Sequence, residues 1–284
     1  MKWMDRLTGC IAYIEENLSG NIDYDTLARR ACLSRLYFFR MFEAVTDISV
    51  SAYIRKRRMS LAVRRLREDR DRIIDIAMDF GYSSSEAFSR AFKQVHGISP
   101  SQARAESQKL KSYPPIAIKI TLKGEAQMEY TIESKPALKL IGASITTCSE
   151  DGRNNEEIPQ FWNDIHADGT FSRLCAAAAN NDACYGICYD YNAADSSFKY
   201  AAAVDYAGGD TDGFEEIDIP AAKWAVFPCT GPMPGALQSV WKRIFSEWLP
   251  ATGNEIADGA QIEFYYPGDT SSDDYRSEVW IPIK

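Results

Sequence analysis

Long apolar runs and regularly spaced cysteines are missing from this chain of 284 residues. No stretch approaches the roughly 18 uninterrupted apolar residues that a membrane helix needs, and the opening segment, Met1 to Arg6, lacks the apolar run of a signal peptide. The seven Cys are odd in number and show no disulfide-like spacing, which indicates free thiols in a reducing compartment. We therefore expect a soluble cytoplasmic protein with no membrane partner.

Patterns of catalytic and metal-binding residues are also missing from the sequence. It contains two His, and it shows no Ser/His/Asp arrangement, phosphate loop or zinc-ligand spacing. Cys184 and Cys188 would lie on one face of a strand about 13 Å apart, which is too far for shared metal ligation or a disulfide. We interpret both as small buried hydrophobic residues. The sequence thus predicts no catalytic residue, no metal and no cofactor.

Charge is distributed unevenly along the chain. The formal net charge of −8, taken whole, would argue against binding to nucleic acid. Residues 1–112 nevertheless hold 20 Lys and Arg against 14 Asp and Glu, whereas residues 113–284 hold 12 against 26. A basic half beside an acidic half is expected when only the first half meets phosphates.

Two helix-turn-helix patterns lie within the basic half, over Tyr24–Phe42 and Ile73–Lys93. Each consists of a short apolar helix, a turn and a second helix with Arg on its outer face, the arrangement that lays a helix into the DNA major groove. A helix of about 28 Å, from Ser49 or Ser51 to about Asp69, would join them. Its length is near the roughly 34 Å between successive major grooves on one face of DNA, so one molecule could read two adjacent grooves.

The joining helix also carries a run of basic residues. They could form a cationic surface for DNA phosphates, or they could be no more than the solvated face of a helix, and both interpretations stay open. The residues are Arg55, Lys56, Arg57, Arg58, Arg64, Arg65 and Arg67.

The second pattern and the residues that follow it carry many characteristic residues at fixed spacing, namely Ile73, Ile76-Ala77, Gly81-Tyr82, Phe88, Arg90, Phe92-Lys93, Gly97, Ser99-Pro100 and Arg104. In these positions, and over about residues 5–107, the chain resembles the AraC/XylS family of transcription regulators. The resemblance implies that promoter DNA contacts the exposed faces of the two recognition helices. It places the base contacts at Arg35, Leu36, Phe39 and Arg40 in the first helix and at Ser85, Glu86 and Arg90 in the second.

These side chains suggest different modes of base recognition. Arg40 and Arg90 could offer a fork of donors to O6 and N7 of guanine. Glu86 could accept from cytosine N4, or it could be only an acid favoured by the dipole at a helix N-terminus. Leu36 and Phe39 are poor hydrogen-bond formers, so the first helix is expected to read thymine methyl groups or DNA shape.

Strand patterns replace helical ones after Met128. The order strand, helix, strand, strand occurs twice, which predicts a duplicated α+β unit with an antiparallel sheet. The two helices are predicted at about Ile158–His166 and Gly235–Trp248. The strands are predicted near 130–132, 138–142, 184–191, 198–204, 224–227, 262–266 and 278–283.

Five stretches of the acidic half carry a second resemblance: Tyr130–Ala137, Ile158–Trp162, Lys223–Phe227, Tyr265–Asp269 and Glu278–Ile283. Through them the chain resembles the GyrI-like effector-binding domain over about residues 127–284. The resemblance implies a groove lined by aromatic residues with an acid near its floor, and it implies Glu278 as that acid. A carboxylate among aromatic rings attracts a lipophilic cation through charge and cation–π interactions.

Glu278 shares a strand face with Arg276 and Trp280. It could therefore line a pocket together with Trp280, or it could simply pair with Arg276 at the surface. Each further aromatic candidate for the pocket could equally be an ordinary core residue. These candidates are Trp224, Tyr265, Phe161, Trp162 and Tyr185.

The sequence therefore predicts an N-terminal all-α domain with two helix-turn-helix units joined by a long helix (1–110), a linker (111–126) and a C-terminal α+β domain of duplicated βαββ units (127–284). We predict a transcription regulator, an activator that binds promoter DNA as a monomer and contacts RNA polymerase. A small amphipathic molecule, with a cation as one option, or a partner would bind the second domain. The alternatives are that this domain is a hydrolase, with Glu278 as acid or base, or purely a protein-interaction module.

Overall fold

The computed structural model describes residues 2–68, 71–104, 108–117, 127–150, 152–179, 183–192 and 196–284. Contacts between Cα atoms divide the chain into two compact units: Met1–Phe38 with Ile48–Leu122, and Phe39–Asp47 with Lys123–Lys284. Asp69, the predicted end of the joining helix, lies outside the described residues, and the predicted linker 111–126 is described only as far as residue 117.

Helices form the first unit, and local capping explains several of their ends. Asp23 accepts from the Asp25 N–H (3.0 Å) and Ser84 from the Ala87 N–H (3.1 Å), while Gly97, at φ 82°, ends its helix in the left-handed region. The helices are α1 (Lys2–Glu16), α2 (Tyr24–Ala31), α3 (Arg35–Thr46), α4 (Val50–Glu68), α5 (Ile73–Asp79), α6 (Ser85–His96) and α7 (Pro100–Ala103), of which α3 continues into the second unit.

The helix pairs α2–α3 and α5–α6 occupy the two predicted helix-turn-helix patterns, and α4 connects them. α4 begins at Val50, between the two predicted starts, and extends for 19 residues to Glu68. It is long but rich in arginine. Within the described ranges no helix, α4 included, is both long and apolar enough to cross a membrane.

An apolar cluster between α4, α5, α6 and α7 fixes the second helix-turn-helix. Phe88 and Phe92, four residues apart on α6, are fully buried, with ring centroids 5.8 Å apart. Leu66 of α4 and Ile76 of α5 pack into the same cluster. Because this face of α6 is turned inward, its opposite face is left for contacts outside the unit.

Most basic residues of α4 hold the helix in place instead of forming an uncommitted cationic surface. Arg57 makes a bidentate pair with Glu15 of α1 (2.6 and 2.8 Å). Arg58 donates to the carbonyls of Leu18 and Gly20 (3.0 and 2.5 Å). Carboxylates or backbone carbonyls likewise engage Arg64, Arg65 and Arg67.

An antiparallel sheet forms the centre of the second unit. Among the described residues it has eight strands in the order β1-β6-β8-β7-β3-β4-β2-β5. They are β1 (Thr131–Lys135), β2 (Leu138–Cys148), β3 (Cys184–Asn192), β4 (Ser197–Asp205), β5 (Glu215–Ile219), β6 (Ala222–Thr230), β7 (Gln261–Tyr265) and β8 (Arg276–Pro282). The helices are α8 (Asn154–Ala167), α9 (Thr170–Ala176), α10 (Gly235–Arg243) and α11 (Leu249–Thr252), with a π-helical segment at Ile244–Trp248.

Side chains alternate between the two faces of this sheet. On one face, Tyr200 and Glu263 hydrogen-bond to Trp162 of α8 and Trp241 of α10; we call this the helix face. The opposite face carries an apolar cluster that includes Tyr185, Ile187, Trp224, Ile262 and Trp280.

Two elements of the second unit, β5 and α9, escape prediction from the sequence. The pattern of β5 is Glu-Glu-Ile-Asp-Ile, in which only Ile217 and Ile219 are buried. It lies at an edge of the sheet and pairs only with β2. Charged side chains are typical of edge strands. Because they occupy most of β5, the remaining alternation of apolar and polar residues is too short to predict a strand from the sequence.

We expect Phe92→Ala to lower the free energy of unfolding of the first unit by about 3–5 kcal/mol, because it removes a fully buried ring and leaves a cavity. Urea denaturation followed by circular dichroism measures this change. Lys93→Ala, at the exposed neighbouring position of α6, is the control and should change the value by less than about 0.5 kcal/mol. Equal effects of the two substitutions would contradict the assignment of Phe92 to the core.

Candidate functional site

The second recognition helix, α6, presents a polar face to solvent. Glu86, Arg90 and Lys93 are exposed. Ser85 is half-buried and donates to the Glu86 carboxylate (3.2 Å). The contact positions predicted on α6 therefore lie at or near its surface, where the edge of a base could reach them.

Glu86 lies in the first turn of α6. Hydrogen bonds from its own backbone N–H, and then from the side chains of Ser84 and Ser85, lower the pKa of its carboxyl. Glu86 is therefore an ionised acceptor at neutral pH. Its charge suits the helix N-terminus and would equally suit cytosine N4, so both interpretations of this residue stand.

A basic cleft lies beside Arg90. Arg55 and Arg58 of α4 line it together with Arg90, and Tyr24 and Tyr82 complete its wall. Three guanidinium groups around one cleft produce a local positive potential, which suits the phosphate backbone of DNA.

The first recognition helix, α3, is arranged differently. Leu36 and Phe39 are 4% and 1% exposed, so neither side chain is accessible to a base in this conformation. Arg35 forms an ion pair with Asp25 of α2, with 2.6 Å between Nη2 and Oδ2. Leu36 and Phe39 are buried because α3 carries apolar residues around most of its circumference, and such a helix is buried.

Glu263 of β7 is the centre of a polar cluster on the helix face of the sheet. Its Oε1 accepts from Trp241 Nε1 (3.0 Å), and its Oε2 accepts from the hydroxyls of Tyr265 (2.8 Å) and Tyr200 (3.2 Å). Trp162 in turn donates to the Tyr200 hydroxyl (3.0 Å). We call these five residues the Glu263 site. The Glu263 side chain is 11% exposed, so ring donors take the place of most of its water.

The two tyrosines of the Glu263 site remain donors at any ordinary pH. Burial, and then the charge of Glu263, raises the pKa of both Tyr200 and Tyr265 well above the usual value for tyrosine. Both hydroxyls are therefore protonated and stabilise the carboxylate by hydrogen bonding, without neutralising its charge.

Gly186 of β3 makes this cluster possible. It lies opposite Glu263 in the ladder between β3 and β7. A Cβ atom at this position would lie 2.4 Å from the Tyr200 hydroxyl and 3.0 Å from Glu263 Oε2. Glycine is required here because the carboxylate and the hydroxyl occupy the space of a side chain.

Arg40, a predicted DNA contact of α3, lies in the Glu263 site. Its guanidinium carbon is 4.0 Å from the centroid of the Trp241 ring, and its Nη2 is 3.9 Å from Glu263 Oε1. Its Nη1 donates to Gln261 Oε1 and to Cys188 Sγ, the latter at 3.6 Å. With a side chain that is only 17% exposed, Arg40 cannot contact a base in this conformation.

Cys184 and Cys188 of β3 behave as expected from their spacing. Both are free thiols, the first half-buried and the second buried. Burial raises the pKa of each to about 12. They are therefore protonated, weakly nucleophilic side chains that fill space on the helix face.

The residues predicted to form a ligand pocket are divided between the two faces of the sheet. Trp162 and Tyr265 are in the Glu263 site, with ring centroids 5.7 Å apart. Phe161 packs edge-on against Tyr200 at 6.2 Å. On the opposite face lie Tyr185, Trp224, Glu278 and Trp280.

Glu278 is half-buried in a separate cluster, where it accepts from the Tyr266 hydroxyl (2.8 Å) and from Trp280 Nε1 (2.7 Å). Trp280 is stacked on Phe264 and has Lys135 Nζ 4.2 Å from its ring. The space around Glu278 is thus filled by side chains of the protein itself.

Sequence reasoning missed Glu263, Tyr200 and Trp241. A signal for Glu263 was present, because residues two apart on a strand share a face and Tyr265 was already a pocket candidate. Trp241 could have been noticed as the aromatic residue in the middle of the predicted helix 235–248.

Two protein families match the chain. A GyrI-like small molecule binding domain matches residues 128–284, and a helix-turn-helix domain matches residues 27–106. The regulatory protein SoxS of Escherichia coli (strain K12) is 40% identical over 94 residues, which cover 33% of this chain and 88% of SoxS. The right origin-binding protein of the same strain is 27% identical over 296 residues, covering 96% of each chain.

A solved structure is also similar to part of this chain. The solved structure of SAV2435 bound to tetraphenylphosphonium has a TM-score of 0.50 and 26% identity to this chain, and it covers 55% of this chain and 94% of its own. The protein is therefore a DNA-binding transcription regulator that carries a small-molecule binding domain. It belongs to the AraC/XylS family, with a GyrI-like domain over residues 128–284, which confirms the resemblance drawn from its sequence.

Gly186→Ala should destabilise the GyrI-like domain by about 1–3 kcal/mol, because the added methyl group forces Tyr200 or Glu263 out of its place. Chemical denaturation followed by tryptophan fluorescence gives the value. Gly235→Ala, where a Cβ atom would meet nothing within 4 Å, is the matched control and should be neutral or slightly stabilising. A neutral Gly186→Ala would show that the cluster is looser than described.

Proposed function

We propose that this protein is a transcription activator whose GyrI-like domain binds a small lipophilic cation at the Glu263 site. One observation carries the proposal: the guanidinium of Arg40 lies against Trp241 and near Glu263. A site that accommodates a cationic group from the chain itself is suited, in charge, to a cationic ligand.

Electrostatics favours a cation over other ligands. A carboxylate that has lost most of its water is stabilised by a positive partner, and a buried charge without one costs several kcal/mol. The ring of Trp241 adds a cation–π attraction of about 2 kcal/mol or more when the cation is desolvated. An aromatic cation would gain from both interactions and from packing against Tyr265 and Trp162, whereas a neutral aromatic molecule would gain only from packing.

The likeness to SAV2435 supports this class of ligand. That protein is bound to tetraphenylphosphonium, a bulky aromatic cation, and its likeness spans a share of the chain similar to that of the GyrI-like match. We take tetraphenylphosphonium as the probe for the Glu263 site.

We propose that both recognition helices read promoter DNA with the side chains predicted from the sequence. The exposed Glu86 and Arg90 support this for α6. For α3, the proposal applies to a conformation in which Arg40 has left the Glu263 site. A monomer would occupy an asymmetric site of about two helical turns and would contact RNA polymerase there. The reading side chains are Arg35, Leu36, Phe39, Arg40, Ser85, Glu86 and Arg90.

We also propose that residues 127–284 are a duplicated βαββ unit, preceded by a DNA-binding domain at 1–110 and a linker at 111–126. The strand order supports the duplication. Outward from the central β3–β7 pair, one side runs β3-β4-β2-β5 and the other runs β7-β8-β6-β1, so that corresponding strands take corresponding places. The Glu263 site uses one strand from each half of the sheet, β4 with Tyr200 and β7 with Glu263 and Tyr265.

Tetraphenylphosphonium should raise the melting temperature of the full chain. In the Arg40→Ala background, where no cation of the chain occupies the site, Glu263→Gln should weaken its binding at least about 10-fold, because the ligand then lacks its buried carboxylate partner. Isothermal titration calorimetry measures the affinity. Glu278→Gln, which changes the acid on the opposite face, is the matched control, and neutral triphenylphosphine oxide should bind weakly to every variant.

Binding that ignores Glu263→Gln would contradict the choice of site. If neither tetraphenylphosphonium nor other aromatic cations change the melting temperature, the result would favour a GyrI-like domain that binds only a protein partner.

Arg90→Ala should weaken binding to double-stranded DNA selected from a random library by about 10-fold and relax specificity at one base pair, since a bidentate contact to guanine is worth about 1–3 kcal/mol. Arg173→Ala removes the same charge from the GyrI-like domain and is the control. Fluorescence anisotropy at several salt concentrations separates a base contact, which alters sequence preference, from a phosphate contact, which alters mainly the salt slope. Equal losses in both variants would contradict base reading by α6.

A further inference from the structure

We propose that Arg40 is a built-in occupant of the Glu263 site, so that the C-terminal part of α3 and a cationic effector compete for one position. The effector would expel Arg40 and thereby make α3 available to DNA. This inference rests on the proposed function, because it takes the effector to be a cation.

Three polar residues of the segment 39–47 attach it to the rest of the second unit. Besides Arg40, Glu43 accepts from Asn155 Nδ2 in α8 (2.7 Å), and Asp47 pairs with Lys242 of α10 (2.6 Å). The spacing of three and four residues places them on one side of the segment. The segment is thus tied to both α8 and α10, the two helices that supply the tryptophans of the Glu263 site.

The contact made by Arg40 is of a kind that a ligand can replace. Its guanidinium is 3.9 Å from the Glu263 carboxylate and makes no bidentate pair with it, and Glu263 keeps all three of its ring donors. An incoming aromatic cation offers two of the interactions that Arg40 makes, one to the carboxylate and one to the Trp241 ring, but not its hydrogen bonds to Gln261 and Cys188. Because one cation takes the place of another, the carboxylate is never left without a positive partner.

The two flanking contacts are also easily broken. The side chains of Asp47 and Lys242 are 77% and 49% exposed, and such surface pairs add little to stability. The contact of Glu43 is a single exposed hydrogen bond from Asn155 Nδ2.

Arg40 cannot serve the Glu263 site and DNA at the same time. The fork of donors that guanine requires belongs to the guanidinium that now contacts Trp241 and Gln261. Leu36 and Phe39 are buried in the same conformation. A ligand that binds only the vacated site shifts the population toward the form in which α3 is available. By linkage, DNA and ligand then strengthen each other's binding by the same factor.

The first test is Arg40→Ala in the full chain, titrated with tetraphenylphosphonium. Call a molecule open when Arg40 has left the Glu263 site. Removal of Arg40 should tighten binding by the reciprocal of the open fraction of the wild type, which is about 10-fold if one molecule in ten is open. Affinity that is unchanged or weaker in this variant would overturn the competition.

The second test leaves Arg40 in place and reverses the charges at its flank. Asp47→Lys or Lys242→Glu alone puts like charges together and should tighten binding of tetraphenylphosphonium about 2–5-fold, while the double variant should return to the wild-type value. Lys242→Glu should also tighten binding to selected DNA without ligand. A substitution that removes positive charge would by simple electrostatics weaken binding to DNA. Tighter binding would therefore indicate that α3 has been released.

The outcomes separate this inference from the proposed function. If tetraphenylphosphonium binds all variants equally and leaves DNA affinity unchanged, the competition is wrong and the cationic ligand stands. If it binds none of them, Arg40→Ala included, the proposed ligand class is wrong. Should Arg40→Ala fail to fold, the charge reversals decide the question by themselves.

Discussion

The charge of the buried Glu263 carboxylate constrains the GyrI-like domain more than any other group. An ionised carboxylate that has lost its water must be compensated by fixed donors or by a cation. Ring hydroxyls and an indole N–H supply the donors, and Gly186 leaves them the space. Since Tyr200 and Tyr265 hold their protons, these donors leave the negative charge in place. Arg40 adds a positive group beside them.

The helical part of the fold could be predicted because its signals are local. The cap at Ser84, the apolar pair Phe88 and Phe92, and the left-handed Gly97 all act within a few residues of α6. The outward faces of α3 were taken from the family resemblance, which cannot tell whether a helix is covered. The buried Leu36 and Phe39 show that the apolar composition of α3 was the better guide to its surroundings.

The sequence does not determine which acid belongs to the site, because this depends on which face of the sheet the helices cover. Glu263 and Glu278 both lie on strands next to aromatic residues, and both accept hydrogen bonds from aromatic side chains. Only long-range packing distinguishes them. The contact of Arg40 with Gln261 joins positions 221 residues apart, and no spacing or periodicity within one sequence encodes such a pair.

Two arginines of this chain differ in the geometry of their contacts. That geometry decides whether the arginine only stabilises the fold or can be replaced by a ligand. Arg57 is clamped to Glu15 by two short hydrogen bonds, and breaking such a pair in the interior costs several kcal/mol because both charges lose their partners. Arg40 instead rests on a ring, at the outer limit of an ion pair with a carboxylate that has other donors. Two conformations can interconvert with ligand only when they differ by a few kcal/mol. Arg40, which makes no bidentate pair with a carboxylate, is closer to that requirement than Arg57.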